Sequence, residues 1–510
     1  MTSWTSGYVS DLPYTHGFYR EIVPALLSFA GLASGHEAAK PPLPLRYCEL
    51  GCGQGFSANL IAAANPAVEI HATDFNPAQI AGARRLAEEA GVANVHFYEA
   101  AFANFATEPS LPAQFDIIAL HGIYSWISPE NRRHIVSFIK QKLRPGGLVY
   151  VSYNTLPGWA SVMPLRRLMV DHAGLRKGPI APRVSEALAF AESLKAAGAA
   201  YFTHNSAIAG RLDKMKGLPR EYLAHEYFNA DWTPFYFADV AAELAEAKLS
   251  FVGSAHLLDQ IDAVNLTGEQ QTLLAAIEDP VRRQGLRDFM VNQQFRRDIF
   301  VKGALPLSTP EAQALWSEQR FALATARVDV PLKATGALGE ANLQAEVYAP
   351  ILDALAAGPV TFRQLTASKP IADLGWARIT QALTILVGTG HLQPCLPAAD
   401  EAKRAQRTRA FNTAVIKRAD HSADLQFLAS PVTGGGVSVD RIQQLFLSGM
   451  VLKGVDPVEH AWARLSAQGQ SLLKDGQPLH GAEANLAELR LRLEAFNETR
   501  VPVLKQLGVI

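Results

Sequence analysis

The chain contains 510 residues, and at roughly 150 residues per domain this length predicts about three domains. Hydrophobic residues make up 48% of the chain and charged residues 19%, as in a soluble globular protein. The 47 basic and 48 acidic residues nearly cancel, so no overall field favours nucleic acid or an anionic membrane. Cys48, Cys52 and Cys395 cannot build a disulfide framework and lack the clustered spacing of a zinc site. We therefore expect a protein of a reducing compartment that binds neither nucleic acid nor metal.

The first 44 residues are expected to lead into the main fold. Several aromatic residues come first, and an amphipathic helix is predicted from Ile22 to Gly35. This stretch contains Pro24 and is shorter than the roughly 20 residues that cross a bilayer. Residues 1–20 also lack the apolar core of a signal peptide. These features predict a cytoplasmic protein without membrane insertion.

From residue 45 onward, apolar segments of strand length alternate with helical segments such as Pro77–Ala90 and Pro129–Leu143. Strands that alternate with helices predict an α/β fold built on a parallel sheet. The strands are nearly continuous apolar runs, which predicts helices on both faces of that sheet. The predicted strands are Leu45–Leu50, Val68–Thr73, Val95–Tyr98, Phe115–Leu120 and Leu148–Tyr153.

Beyond residue 160 the sequence is mainly helical. Residues 160–220 are interpreted as a helical insertion that caps the carboxyl edge of the sheet, and Leu249–Gly253 as a late strand of the same sheet. Helices followed by a hairpin then resemble a winged helix. The predicted divisions are a first domain over 1–265 with an N-terminal segment at 1–44, a helical middle region over 266–342, a winged-helix-like domain over 343–400 and a C-terminal helical region over 401–510.

The first predicted strand leads directly into a glycine-rich loop, Glu49-Leu50-Gly51-Cys52-Gly53-Gln54-Gly55, and a helix follows. Glycines let the backbone turn sharply and approach a ligand without a Cβ in the way. The start of the helix adds unpaired N–H groups. A loop of this kind also fits a dinucleotide or a plain tight turn, so further residues must decide.

Three details favour a sulfonium cofactor over a dinucleotide. The spacing is Gly-x-Gly-x-Gly rather than the Gly-x-Gly-x-x-Gly that holds a pyrophosphate. Glu49 would repel a diphosphate but suits the positive end of a sulfonium. Asp74, at the end of the second strand, can accept hydrogen bonds from ribose hydroxyls, although it could instead cap the helix that follows Asn76.

The set of Glu49, Gly51, Gly53, Gly55 and Asp74 is similar to the class I methyltransferase family, which uses S-adenosylmethionine. The resemblance implies a Rossmann-like sheet. It also implies an acidic residue after the third strand that reads the adenine amino group.

This sequence departs from the family pattern at the adenine position, which falls on Ala101. Two alternatives remain open. Either Glu99 substitutes for the missing carboxylate, or the adenine is held by backbone groups and by stacking on Phe75 and Phe102.

Two predicted loops, which follow the fourth and fifth strands at the carboxyl edge of the sheet, are dense in aromatic and hydrogen-bonding residues. Methyl transfer needs an aligned nucleophile and little water, and aromatic rings attract a lysine cation. Alternatively, Trp126 and Trp159 only pack beneath the helical insertion. His121 could relay a proton, contact the cofactor or serve as a structural partner. The candidates for the reacting end are His121, Tyr124, Trp126, Tyr153, Asn154 and Trp159.

Several longer motifs resemble a bacterial group of class I methyltransferases that carry a methyltransferase regulatory domain. This group is similar to the rickettsial protein lysine methyltransferases, which modify outer-membrane proteins. The resemblance implies that Tyr14 lies over the methionine end of the cofactor and that the regulatory domain begins near residue 220. The motifs are Tyr8–Tyr14, Leu120–Trp126, Tyr153–Trp159, His225–Phe237 and Gln294–Gly303.

The leading hypothesis is an S-adenosylmethionine-dependent protein lysine methyltransferase whose accessory regions grip the protein substrate. A methyltransferase of small molecules that uses nitrogen or oxygen nucleophiles is the alternative within enzymes. A regulatory protein that senses the cofactor is the alternative of another class. Its winged-helix part would contact DNA, which the near-zero net charge disfavours.

Overall fold

A seven-stranded sheet forms the centre of the computed structural model, which describes residues 16–36 and 44–510. Its strands are β1 (Leu45–Leu50), β2 (Val68–Asp74), β3 (Val95–Glu99), β4 (Phe115–Leu120), β5 (Leu143–Asn154), β6 (Leu249–Ser254) and β7 (Phe295–Lys302). Their order across the sheet is β3-β2-β1-β4-β5-β7-β6. The strands β1 to β5 pair in parallel, whereas β7 is antiparallel to both β5 and β6.

The five strands predicted between residues 45 and 153 are confirmed, and so is the late strand β6. Burial on both faces explains why the sequence indicated them. Every residue of β4 is buried, and its Ile118 lies beside Val149 of β5 in register. In β1, Tyr47 joins the apolar cluster on one face of the sheet and Cys48 joins the cluster on the other.

The middle region differs from the sequence prediction. Residues 266–342 are predicted to be helical, but Phe295–Lys302 forms β7 in the middle of the sheet's second half. The predicted boundary at residue 265 therefore divides one sheet, and the sheet is mixed rather than parallel. Arg296 and Asp298 interrupt the apolar pattern that is expected of a buried strand, so the sequence did not indicate β7. Their charges are paired with each other inside the core.

Helices pack on both faces of the sheet: α1 (Pro24–Ala33), α2 (Phe56–Ala64), α3 (Pro77–Ala90), α4 (Phe102–Phe105) and α5 (Pro129–Lys142). Two of them begin as the sequence predicts. The side chain of Asn76 accepts the Ala78 N–H at the start of α3, and Ser128 accepts the Asn131 N–H at the start of α5. In both helices a proline occupies the first turn, where no N–H is needed.

The predicted helical insertion forms a cap that consists of α6 (Met163–Gly174), α7 (Ile180–Ala196), α8 (Ala200–His204), α9 (Ser206–Lys216) and α10 (Arg220–Tyr227). The cap has an apolar core of its own, in which Leu165, Val184 and Leu212 are fully buried. This core is distinct from the two clusters that flank the sheet.

The remaining elements are mainly helical, with short antiparallel strand pairs between them. The helices are α11 (Phe237–Ala245), α12 (Asp262–Asn265), α13 (Gly268–Ala275), α14 (Pro280–Val291), α15 (Thr309–Glu318), α16 (Ala345–Ala356), α17 (Phe362–Thr366), α18 (Lys369–Ala372), α19 (Trp376–Gly388), α20 (Glu401–Arg418), α21 (Arg441–Val451), α22 (Pro457–Ser466), α23 (Ala482–Ala495) and α24 (Val501–Gln506). The strands are β8 (Arg320–Leu323), β9 (Lys333–Gly336), β10 (Gly339–Asn342), β11 (Val360–Thr361), β12 (Leu392–Cys395), β13 (Phe427–Ala429), β14 (Gly436–Ser438), β15 (Leu473–Lys474) and β16 (Gln477–Pro478).

The winged-helix prediction for 343–400 is not confirmed. The helices α16, α17 and α19 follow the predicted order. However, β12 pairs with β8, which precedes all three helices, instead of forming a hairpin with a following strand. β11 pairs with the same β8, so the sheet here has its central strand outside the predicted domain.

The C-terminal region packs onto the helices that cover one face of the central sheet. One apolar cluster extends from α1 through α2 and one face of the sheet to Val509. Within it, the ring of Phe411 in α20 stacks on Phe56 at the start of α2, with 6.1 Å between ring centroids. Within residues 16–36 and 44–510, no helix combines the length and the apolar character that crossing a bilayer requires.

Candidate active site

A cavity lies at the carboxyl ends of β1, β2 and β4, where parallel sheets place their ligands. The loops after β1 to β4, with the first turns of the helices that follow them, contribute most of its walls. A second part of the wall comes from α10 and the chain that follows it. The N-terminal segment adds Gly17 and Tyr19. Ten residues predicted from the sequence line this cavity: Glu49, Gly51, Gly53, Gly55, Asp74, Phe75, Ala101, Phe102, His121 and Trp126.

The glycine loop takes a backbone conformation that favours glycine at three positions. The φ angles of Gly51, Gly53 and Gly55 are 74°, 54° and 64°. A Cβ on Gly51 would lie 2.3 Å from the side chain of Ile123. The N–H of Gly51 donates to the carbonyl of Thr73 at 2.8 Å, which ties the loop to the end of β2. The loop therefore presents bare backbone to the cavity.

Glu49 is buried at the base of the loop, with 5% of its surface exposed. Its Oε2 atom has no hydrogen-bond partner among the described residues. Burial, with a smaller contribution from the charge of Asp74, raises the pKa of Glu49 to about 8. Because a buried carboxylate without a partner is costly, this position suits a cationic ligand that supplies the missing charge.

Asp74 ends β2 beside the loop. Its Oδ2 accepts the Gly53 N–H at 3.0 Å, and its Oδ1 accepts the Asn76 N–H at 2.9 Å. Burial raises the pKa of Asp74, and the backbone donors partly offset that effect. Asn76 rather than Asp74 caps the following helix, so the alternative of a capping role for Asp74 is wrong. Each carboxylate oxygen retains acceptor capacity for hydroxyl groups of a ligand.

The walls that follow β2 and β3 are apolar. Phe75, Ala101 and Phe102 line the cavity there. Glu99 is exposed and does not line the cavity, so the alternative in which it replaces the family's carboxylate is wrong. The Ala100 N–H donates to the carbonyl of Asp74 at 3.1 Å and holds this loop against β2. On this side of the cavity, an adenine would therefore contact backbone groups and the rings of Phe75 and Phe102.

His121 follows β4 and is held between two tyrosines. Its Nδ1 lies 2.8 Å from the hydroxyl of Tyr150, and its ring stacks on Tyr19 with 3.7 Å between ring centroids. Burial, followed by the charge of Arg297, lowers the pKa of His121 to about 3. The imidazole is therefore neutral in neutral solution and holds a proton weakly. This environment favours a positioning role over that of a general base.

Four residues predicted for the reacting end lie outside the cavity lining: Tyr124, Tyr153, Asn154 and Trp159. The Tyr124 hydroxyl donates to Glu243, and the Tyr153 hydroxyl donates to Asp298 at 2.5 Å. Both rings are fully buried. β5 continues to Asn154, one residue beyond the predicted strand, so Asn154 as well as Tyr153 belongs to the buried strand rather than to the loop that follows it.

The two tryptophans take different places. Trp159 is 4% exposed in the cap core, where its ring meets the edge of Trp232 at 5.0 Å and the Arg211 guanidinium lies 4.4 Å from its centroid. The alternative of simple packing beneath the insertion is therefore correct for Trp159. Trp126 lines the cavity, and its indole N–H donates to the carbonyl of Glu226 at 3.5 Å.

The cap supplies a wall that sequence reasoning missed. It consists of Tyr222, His225 and Glu226 on α10, with Asn229 and Asp231 in the chain that follows. Burial raises the pKa of Glu226 to about 7. No spacing relates these residues to the glycine loop, because they lie far from it along the chain and only folding brings them together.

The N-terminal segment also reaches the cavity. Tyr14, expected over the methionine end of the cofactor, lies outside the described residues. Tyr19 lines the cavity instead, and the aromatic cluster that precedes the first helix is the sequence signal that could have indicated it. The Ser57 hydroxyl donates to the carbonyl of Gly17 at 3.1 Å and ties this segment to α2.

Two family models match the chain. A methyltransferase domain matches residues 48–149, which contain the glycine loop and most of β1 to β5. The chain belongs to the S-adenosylmethionine-dependent methyltransferases. A predicted methyltransferase regulatory domain matches residues 219–302. That segment contains α10, β6 and β7, so in this methyltransferase the regulatory domain completes the sheet and supplies one wall of the cavity.

Relatives of this methyltransferase occur in several bacteria. An uncharacterized protein of Synechocystis sp. is 44% identical over 99% of this chain and 100% of its own length. An uncharacterized protein of Rickettsia prowazekii is 27% identical over 51% of this chain and 46% of its own length. The solved structure of PKMT2 from Rickettsia typhi in complex with AdoHcy is similar, with a TM-score of 0.69 at 18% identity, covering 97% of this chain and 100% of that one. The likeness confirms the predicted Rossmann-like fold with its mainly helical remainder.

Proposed function

We propose that this methyltransferase transfers methyl groups to the side-chain amines of lysines in a protein. The observation that carries the proposal is the wall contributed by the cap, where Tyr222, Glu226 and Asp231 line the cavity together with Trp126. Carboxylates attract an ammonium group, and aromatic rings bind a cation and limit its water. The fold is shared with PKMT2 from Rickettsia typhi, whose structure is a complex with AdoHcy, and this likeness is consistent with methyl transfer at the cavity.

The other end of the cavity fits the cofactor. Two observations support this fit: the Oε2 of Glu49 has no partner among the described residues, and the glycine loop is so closely packed that a Cβ on Gly51 would lie 2.3 Å from Ile123. We assign Glu49 to the methionine end, Asp74 to the ribose hydroxyls, and the rings of Phe75 and Phe102 to the adenine. The backbone of the glycine loop lies between these groups.

When bound, S-adenosylmethionine supplies a methyl group on a positively charged sulfur, so its transfer releases a neutral thioether and needs no metal. The protein has to align the lysine Nζ, exclude water and accept one proton. We assign that proton to Glu226, because it lines the cavity and burial raises its pKa to about 7. His121 stays neutral and orients its neighbours through the contact with Tyr150.

A protein acceptor is consistent with the size of the chain. A small metabolite rarely needs large regions beyond the catalytic sheet, whereas a protein can use them as a platform. All described lining residues lie between Gly17 and Asp231, so the regions over 343–400 and 401–510 would touch such a substrate outside the cavity. A cytoplasmic location and the absence of a nucleic-acid partner remain predictions from composition.

The proposal is tested with methyl-labelled cofactor and a bacterial cell lysate. Protein is separated from small molecules, and the labelled protein is hydrolysed to amino acids. We expect the label in protein, as methylated lysine, and none with Asp74→Ala. Label in small molecules alone would contradict the protein acceptor and favour a small-molecule methyltransferase.

A second variant tests the cap wall. Glu226→Gln is expected to slow lysine methylation by about 100-fold, since a positioned proton acceptor contributes at least that much, while cofactor affinity stays unchanged. Glu221→Gln is the matched control, because Glu221 lies on the same helix but is exposed and does not line the cavity. Equal rates in the two variants would show that Glu226 is not the proton acceptor.

A further inference from the structure

One face of the sheet, near its β3 edge, carries three ligand-type side chains that the methyltransferase site does not use. Glu69 and His71 are two residues apart on β2, and His96 on β3 is the register partner of His71. One ligand atom from each of the three lies within 4.8 Å of the others. We propose that Glu69, His71 and His96 bind a divalent transition-metal ion, and that zinc fits these donors best.

The distances suit a tetrahedral ion. Zinc bonds of about 2.0–2.1 Å place neighbouring ligand atoms about 3.4 Å apart. Oε1 of Glu69 lies 3.3 Å from Nε2 of His71 and 3.7 Å from Nε2 of His96. The carboxylate is therefore already at the required distance from both rings. The two imidazoles have to approach by no more than about 1.5 Å, and His96, with its side chain 45% exposed, has room to turn.

His71 is oriented as a ligand. Its Nδ1 lies 2.9 Å from the Tyr98 hydroxyl, whose oxygen lies 3.2 Å from the hydroxyl of Ser110. An outer partner of this kind fixes the ring and leaves Nε2 directed at the site. The side chain of His71 is only 2% exposed, and burial favours the neutral imidazole, which is the form that binds metal.

Without an ion, the same groups form a simpler arrangement. Nε2 of His71 then lies 3.3 Å from Oε1 of Glu69 without a hydrogen bond to any described residue, while Nδ1 pairs with the Tyr98 hydroxyl. In that case His96 adds only an exposed contact to the same carboxylate oxygen. The two arrangements differ in whether His96 is needed, which an experiment can measure.

The ion would act on the sheet rather than on methyl transfer. β3 has only one neighbour in the described sheet, and a shared ion would secure it to β2. β2 continues from His71 to Asp74, and the chain after β3 continues to Ala101 and Phe102 at the cavity. The sequence did not indicate the site, because its donors meet only when β2 and β3 align.

The test uses the full chain after removal of metal with a chelator. Cobalt(II) is titrated while its visible absorption is recorded, zinc is then added in competition, and zinc binding is measured by calorimetry. We expect one equivalent of either ion and the absorption of a tetrahedral cobalt site. Loss of a ligand in His96→Ala or Glu69→Gln should weaken zinc binding by at least about 10-fold.

His134→Ala is the matched control, since His134 is partly exposed and lies near the single carboxylate of Glu130 at 3.9 Å. Zinc should raise the melting temperature of the unmodified protein and of this control, but not that of His96→Ala. The proposal is overturned if the unmodified protein takes up no zinc, or if binding persists unchanged in His96→Ala and Glu69→Gln. Because both substituted residues are partly exposed, their variants are expected to fold.

Discussion

At the scale of single residues, the cofactor end of the cavity depends on one buried carboxyl group in unfavourable surroundings and on a loop of bare backbone. Glu49 is buried, and its Oε2 has no hydrogen-bond partner among the described residues. This burial does not stabilise the free protein, and it becomes favourable when a positively charged ligand is bound. The three loop glycines adopt left-handed backbones at little cost, which lets the backbone approach such a ligand closely.

Cofactor affinity is expected to depend on pH through Glu49. Its pKa of about 8 leaves the carboxyl protonated below that pH, whereas a cationic ligand requires it ionised. The dissociation constant should therefore rise by up to about tenfold for each pH unit as the pH falls from roughly 7.5 to 5.5. Calorimetric titration with S-adenosylmethionine over this range measures the slope.

Glu49→Gln serves as the control for that slope, because it keeps the size of the side chain and removes its titration. This variant should bind the cofactor weakly and with little dependence on pH. A steep slope that persists in Glu49→Gln would assign the titration to another group and refute this role.

The glycine loop allows a prediction with a control elsewhere in the chain. Gly51→Ala brings a Cβ to 2.3 Å from Ile123 at a φ of 74°, so we expect loss of cofactor binding. Gly91→Ala has a similar φ of 64° but open space around the added Cβ. It should cost about 1–2 kcal/mol of stability and leave cofactor affinity unchanged. Isothermal titration of both variants compares them, and equal affinities would contradict the steric argument.

At the scale of elements, β7 is the strand that makes the sheet one unit. It pairs with β5 and β6, so without it β6 would have no neighbour in the described sheet. A charged network holds it there. The Nε of Arg296 donates to Asp298 at 2.8 Å and its Nη1 donates to Asp288 at 2.5 Å, and Tyr153 of β5 donates to Asp298.

Breaking this network should be costly, because Arg296 would keep its charge in the core with one partner fewer. We expect Asp298→Asn to lower the free energy of unfolding by about 3–5 kcal/mol. Glu318→Gln is the control, since its ion pair with Arg363 is 71% exposed on both sides and should contribute less than about 1 kcal/mol. Urea unfolding measures both, and a similar midpoint for the two variants would show that the buried network does not hold β7.

At the scale of the whole molecule, the apolar cores divide the chain differently from the domains that the sequence predicts. The apolar cluster that begins at Phe18 includes α2, one face of the sheet and residues up to Val509. The C-terminal region and the cofactor-binding half therefore share one core. The cap between β5 and β6 has its own.

Hydrogen exchange should follow these cores. Amides of β1, β2, α20 and α21 are expected to open with a similar, high free energy, because they belong to one apolar cluster. Amides of α7 and α9 should exchange at a lower free energy, since the smaller cap core can open alone. Exchange measured by mass spectrometry on native protein tests this division. Early exchange of α20 and α21 relative to the cap would contradict it.

The sequence by itself determined the sheet's parallel half, the glycine loop and the cofactor class. These depend on local patterns: apolar runs, glycines at fixed spacing, and Glu49 and Asp74 at strand ends next to the loop. Each such pattern is complete within a few residues of the chain. The carboxyl ends of parallel strands then meet at one edge, so the ten lining residues could be predicted without coordinates.

Only the tertiary structure decided the strand β7, the cap wall of the cavity and the places of the aromatic residues. β7 carries Arg296 and Asp298, whose burial is possible only because their partners come from other elements. Trp126 and Trp159 are equivalent as sequence signals, yet one lines the cavity and the other packs in the cap. The place of Glu226 in the cavity wall likewise depends on contact between distant segments. The same is true of the register that sets His71 beside His96. A pattern along the chain does not specify which distant residues meet, because long-range packing settles that.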